Sequence, residues 1–151
     1  MTTDSSTHTD FRLDLPVAAP AQRLREAVAR VEDWWSTALD RDGDEFTAHF
    51  DHNWTRIRVD GDRWTVTAQD TPALPVADEW VGDVLTFDVE DAGAETSILH
   101  FTHHGLLAQE CASDCQPAWR NFIASLISLA ETGEGRPWRP GVAPTGVEVG
   151  S

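Results

Sequence analysis

The apolar positions of this chain switch between two periods. Phe11-Arg12-Leu13-Asp14-Leu15 alternates apolar with charged residues, which predicts a half-buried strand ended by Pro16. Leu24, Ala27, Val28 and Val31 then recur at spacings of three and four, the single apolar stripe of a helix whose first turn Pro20 suits. Trp34 and Trp35 fall on a short second helical piece, and Arg41-Asp42-Gly43-Asp44 reads as a turn. From there the period returns to two. Phe46, Ala48 and Phe50 alternate with Thr47 and His49; Ile57 and Val59 with Arg56 and Arg58; Trp64, Val66 and Ala68 with Thr65, Thr67 and Gln69. Asp60-Gly61-Asp62 supplies a hairpin turn between two of these runs. A segment interrupted by Pro72 and Pro75 leads to a strand with Leu85, Phe87 and Val89 on one face, and Ala92-Gly93 turns it into a last strand, Thr96 to His104.

Pro117 to Thr132 carries the clearest helical period: Trp119, Phe122, Ile123, Leu126, Leu129 and Ala130 share one face, and Gly133 stands where a C-cap glycine belongs. So large an apolar face needs a sheet to lie on. Strand, two short helices, a meander of antiparallel strands and a long terminal helix predict an α+β domain whose curved sheet wraps the last helix. The core domain spans 11–137. The polar stretch 1–10 and the Gly/Pro/Val-rich stretch 138–151 show no hydrophobic period and are expected to be mobile tails.

Composition narrows the function classes. One domain suffices for 151 residues, and a formal charge of −15 repels phosphate backbones and anionic lipid headgroups, so nucleic acid and membrane surfaces are not expected partners. All 11 basic residues are arginines, which removes lysine Schiff-base chemistry. No run approaches the roughly 20 apolar residues of a membrane helix, and the first residues lack a secretory pattern, so a soluble, cytoplasmic protein is expected. Cys111 and Cys115, four apart, read as reduced thiols.

A set of motifs carries a family resemblance. Leu99-His100-Phe101-Thr102-His103-His104-Gly105-Leu106 runs through Cys115 into Trp119, Ser125-Leu126, Thr132-Gly133 and Gly135-x-Pro137, with Trp34-Trp35 and Trp80-Val81-Gly82 ahead of it. In that order these motifs resemble the START-like SRPBCC superfamily, in the branch of the activator of Hsp90 ATPase C-terminal domain. The resemblance covers about Phe11 to Pro137. It implies the helix-grip (START/Bet v 1-like) fold, with a ligand cavity between sheet and helix, in a superfamily of lipid carriers, receptors, aromatase/cyclases and co-chaperone domains; one fold does not choose among those activities.

Strand alternation and helix phase aim Phe46, Phe50, Trp64, Phe87, Phe101, Trp119, Phe122 and Ile123 into that space. They would line a cavity for a flat or apolar ligand, or else fill an ordinary core. His103 joins them, because it shares a strand face with Leu99 and Phe101, whereas His100 and His104 point the other way; it is a ligand-orienting or acid–base group, or a structural histidine at the strand end. A zinc site from His103, His104, Cys111 and Cys115 is disfavoured, since adjacent strand residues face opposite ways and no second Cys pair exists. No phosphate loop, nucleophile elbow or His-Glu metal helix is present, and no cofactor or catalytic residue is assigned. The expected function is binding of a hydrophobic small molecule. A cyclase/dehydratase-like enzyme using the same cavity and a protein-binding module of the Hsp90-activator kind are the alternatives, the last disfavoured because no basic patch faces an acidic chaperone; a homodimer is compatible with the sequence.

Overall fold

The structure, a computed structural model, describes residues 9–50, 52–72 and 76–139. Seven antiparallel strands, β1 (Phe11–Val17), β2 (Leu39–Asp42), β3 (Glu45–Phe50), β4 (Asn53–Asp60), β5 (Arg63–Asp70), β6 (Val84–Gly93) and β7 (Thr96–His103), form one sheet in the order β1-β7-β6-β5-β4-β3-β2. Helices α1 (Ala21–Ala29) and α2 (Val31–Trp34) connect the two edge strands, and α3 (Ala112–Thr132) packs its apolar face across the sheet. This is the predicted α+β, helix-grip arrangement. The predicted stripe of α1 is buried at Leu24, Ala27 and Val28, and α3 buries Trp119, Ile123, Leu126, Leu129 and Ala130.

Three local departures from the sequence pattern have physical reasons. Arg41 and Asp42 belong to β2, so the turn is confined to Gly43 and Asp44; an edge strand whose four residues include only one apolar side chain, Leu39, carries no alternation to read. In the β4–β5 ladder Ile57 faces Val66 while Arg56 faces Ala68, so Thr67 is an extra residue on β5. That bulge reverses the phase of β5, and Gln69 rather than Ala68 becomes the buried residue. Finally, α3 starts at Ala112 and carries Pro117 in its second turn, where the missing N–H removes one helix bond without ending the helix.

β5 and β6 pair only through Arg63↔Thr86, Trp64↔Leu85 and Thr65↔Val84. Beyond Thr65 the loop before β6 replaces β6 as neighbour: the N–H of Val66 donates to the Asp83 carbonyl and that of Gly82 donates to the Val66 carbonyl. This loop lays Trp80 over the space between sheet and helix.

Most of the two predicted tails, 1–10 and 138–151, lies outside the described residues. Their inner ends are held: the Asp10 carboxylate accepts the N–H of Gly105 at 2.8 Å, and Trp138 forms a bridge with Ser36. After Gly133, in the left-handed conformation at φ 87°, residues 134–138 form a strap across the end of α3. The Arg136 N–H donates to Ser125 Oγ at 2.6 Å, the Trp138 N–H donates to the Trp35 carbonyl at 2.9 Å, and Thr37 returns a bond to the Trp138 carbonyl at 2.9 Å.

Gly135 is needed there for its lack of a side chain, since a Cβ would collide with the carbonyl oxygen of Asp33 and crowd Ser125. Gly135→Ala should therefore lower stability by roughly 1–3 kcal/mol, the usual cost of forcing atoms into a packed site, read as a reduced urea midpoint at unchanged m-value.

Candidate functional site

The inward-facing residues meet in one continuous aromatic cluster. Trp64 lies 4.4 Å from Phe87, Phe87 5.1 Å from Phe101, and Phe101 4.6 Å from Trp119, measured between ring centroids. Phe46 stands edge-on to Trp64 at 5.2 Å, Phe122 meets Trp119 at 6.2 Å, and Ile123 is fully buried in the same core. Phe87, Phe101, His103 and Trp119 come together there, with neighbouring ring centroids 4.6–6.1 Å apart. Outside the cluster, an open cleft of about 350 Å³ runs between β1 and α3 past Leu13, Leu15, Arg120 and Ile127.

Trp34 and Trp35, which the sequence places on a short helical piece and among the family-like motifs, are central to the cluster. Trp35 contacts Phe46, Phe50, Trp64, Trp119 and Phe122 at centroid distances of 5.6–6.3 Å. It ends α2, whose length of one turn leaves both adjacent indoles directed inward, and the two rings stack at 5.9 Å. The signal for this role was the Trp-Trp doublet itself.

The two sides of the cluster differ. On the His103 side Trp80 stacks on Trp119 at 5.6 Å and 8° and stands edge-on to His103 at 4.8 Å. His103 is fully buried and both ring nitrogens are engaged: Nδ1 accepts the indole N–H of Trp119 at 3.0 Å, and Nε2 meets Asp83 Oδ2 at 2.8 Å. An indole N–H can only donate, so Nδ1 must be bare and Nε2 must carry the proton that goes to Asp83, which makes His103 a neutral imidazole of fixed tautomer. Burial holds its pKa below the ordinary 6.5 against the opposing pull of Asp83. Asp83 also accepts from Gln109 Nε2 at 2.5 Å, and Glu79 accepts the backbone N–H groups of Glu110 and Cys111 at 2.7 and 3.2 Å. Gln69, turned inward by the bulge, accepts the Trp80 N–H at 2.9 Å. Every polar group named here is paired, and the network closes this side.

Cys111 and Cys115 carry buried free thiols; Cys111 Sγ receives the Trp80 indole N–H at 3.4 Å, and burial raises both thiols above their ordinary range, which disfavours thiolate. Among the described residues no cluster of His, Cys, Asp or Glu has the arrangement of a metal site.

Four strands away the other side is half open. Phe50, Phe122 and Trp138 are each only partly buried, with Phe50 5.7 Å from Phe122 and 6.0 Å from Trp138. Behind this rim lies Trp35, whose Nε1 is the one buried side-chain nitrogen or oxygen among the described residues without a hydrogen-bond partner. An unpaired buried donor costs roughly 1–3 kcal/mol. Trp138 was assigned to a tail by the sequence pattern because a lone aromatic among Gly, Pro and Val has no period.

The arrangement, a long helix gripped by a curved antiparallel sheet, is the helix-grip fold. The chain is similar in structure to the Aha1 dimer from Colwellia psychrerythraea (TM-score 0.65, 16% identity, covering 83% of this chain and 98% of that one). It is also similar to the di-domain ARO/CYC StfQ from the steffimycin biosynthetic pathway (TM-score 0.55, 18% identity, 82% of this chain and 45% of that one) and to Ara h 8.0201 (TM-score 0.52, 13% identity, 80% and 96%). At these identities the likeness is one of fold. No protein-family model and no curated protein sequence matches the chain.

His100, on the outer sheet face as predicted, sits between Asp14 at 2.7 Å and Glu90 at 2.8 Å, and its hydrogen bonds to those carboxylates raise its pKa. The two histidines should therefore titrate on opposite sides of 6.5 in an NMR pH series, His103 below and His100 above. The linkage signs are opposite too. The fold gains from neutral His103 fully above pH 6.5 and loses that gain as the pH falls toward its depressed value, whereas the gain from charged His100 is complete below 6.5 and is lost as the pH rises through its raised value. His103→Leu, which orphans the Trp119 donor, should cost roughly 1–3 kcal/mol or more in urea denaturation.

Proposed function

We propose that this domain binds a neutral, flat, apolar small molecule at the Phe50–Phe122–Trp138 rim, without chemistry of its own. The observation that carries the reading is the gradient of burial through one continuous aromatic cluster, from fully buried Trp119 and Phe101 to the half-exposed rim. Aromatic rings offer large contact area and few torsions to order, so a partly exposed aromatic group is a low-entropy binding surface. Rotation of the partly buried Phe50 and Phe122 would expose Trp35 without disturbing the closed His103 side.

Binding fits better than proton transfer. His103 is the inward-facing group that could act as acid or base, and both of its nitrogens are already committed to Asp83 and Trp119. A charge of −15 favours a neutral or cationic ligand over an anionic one. Membership in a fold that also includes an ARO/CYC protein and Ara h 8.0201 is compatible with a ligand between sheet and helix, though that likeness selects no ligand.

The neutral fluorophore N-phenyl-1-naphthylamine should bind with one site per chain, and Phe50→Ala or Phe122→Ala should weaken it roughly tenfold or more while costing little stability. Phe101→Ala, deep in the cluster, should show the reverse: a stability loss of roughly 3–5 kcal/mol as a buried large-to-small change. Absence of saturable binding, or binding indifferent to both rim substitutions, would refute the rim as the site.

A further inference from the structure

The interior of this protein is built of indole and phenyl rings, with seven tryptophans and no tyrosine in the chain. Tyrosine can accept as well as donate, but an indole N–H donates only. Each such donor buried here therefore needs an acceptor from elsewhere. Trp34 Nε1 donates to the Val28 carbonyl at 3.2 Å, Trp80 Nε1 to Cys111 Sγ at 3.4 Å, and Trp119 Nε1 to His103 Nδ1 at 3.0 Å. Trp35 Nε1 has none, although its residue is 1% exposed.

The neighbourhood of Trp35 explains why the chain itself does not supply one. Its ring packs against Trp34, Phe46, Phe50, Trp64, Trp119 and Phe122, side chains that offer no hydrogen-bond acceptor. Two of these six, Phe50 and Phe122, are the partly exposed rim residues. The group that can bring an acceptor to Trp35 is one that enters past them.

We infer that Trp35 is the specificity-determining donor of the site, and that its ligand is an aromatic carbonyl compound, an aryl ketone or quinone whose ring lies between Phe50 and Phe122 and whose oxygen accepts the Trp35 N–H. This rests on the small-molecule reading above and deepens it. Aromatic walls select a flat ring, and the single unpaired donor selects an oxygen acceptor on that ring. A hydroxyl could also accept, but its own proton would then face phenyl and indole rings and stay unpaired, whereas a carbonyl brings no such proton. A carboxylate would be an anion entering an acidic protein and an apolar site. A carbonyl accepts the bond and brings no donor of its own that would need a partner.

2-Acetylnaphthalene and 2-ethylnaphthalene have nearly the same shape and differ in one oxygen, so the pair isolates this bond. On the full chain, the Kd ratio between the two should move toward the hydrocarbon by about tenfold in Trp35→Phe, which keeps a ring and removes the donor, the scale of a single hydrogen bond. The native protein gives a second measurement that does not depend on the variant folding. In its proton–nitrogen NMR spectrum the Trp35 indole N–H, assigned through contacts to Phe46 and Phe122, should shift downfield on adding 2-acetylnaphthalene and much less on adding 2-ethylnaphthalene. If the two compounds bind but the Trp35 resonance responds alike to both and the ratio is unchanged in Trp35→Phe, the donor role is overturned and the rim site stands. If neither compound binds, the small-molecule reading fails and this inference with it.

Discussion

One hydrogen bond joins helix to sheet at the point on which the rest of the interior depends: the indole N–H of Trp119, on α3, donates to Nδ1 of His103, at the end of β7. It fixes the imidazole tautomer, which directs the other nitrogen to Asp83, and Asp83 in turn gathers Gln109 from the loop before α3. With Trp119 pinned by its polar tip, its faces are available to the rings around it. Trp80 stacks upon it, Phe101 packs against it at 4.6 Å, and Trp35 approaches to 5.6 Å. A helix lying on a curved sheet could slide or roll if held by apolar contacts alone, because those contacts are non-directional. A directional bond at one buried point removes that freedom.

The same bond explains how one aromatic cluster can have a closed side and a partly exposed side. Polar groups near His103 arrive in complementary pairs: carboxylate with amide, sulfur with indole, glutamine with backbone N–H. Near Trp35 the ring neighbours are Trp and Phe side chains, and a donor is left over. The two sides differ in the balance of donors and acceptors, since ring contacts of similar distance occur on both.

Strand alternation and helical period made the fold legible, because both derive from the need to hide one face of each element. That is why Phe46, Phe87, Phe101 and His103 could be placed inward from the sequence, and why Leu24 and Trp119 could be placed on buried helix faces. The pattern failed where burial has no period. β2 is an exposed edge, the bulge at Thr67 shifts phase by one residue, and Trp138 reaches the core from a segment that follows no regular element. The unpaired Trp35 donor could not be read at all from the sequence, since it depends on what six residues from four separate elements fail to offer.

The strap of residues 134–138 ties the rim to the helix end through groups that the two share. Ser125 and Ser128 of α3 bond to Arg136 and Glu134, and Trp138 is threaded onto the backbone of Trp35 and Thr37. Fraying of the last helical turns and loosening of the rim are consequently one cooperative event and not two. Amide protons at Arg136 and Trp138 would report on both by their exchange with solvent, and an occupant lodged behind Trp138 would slow that exchange and lengthen the life of the helix terminus. On the proposed reading, the C-terminal clasp would make retention of a guest and protection against local unfolding the same quantity.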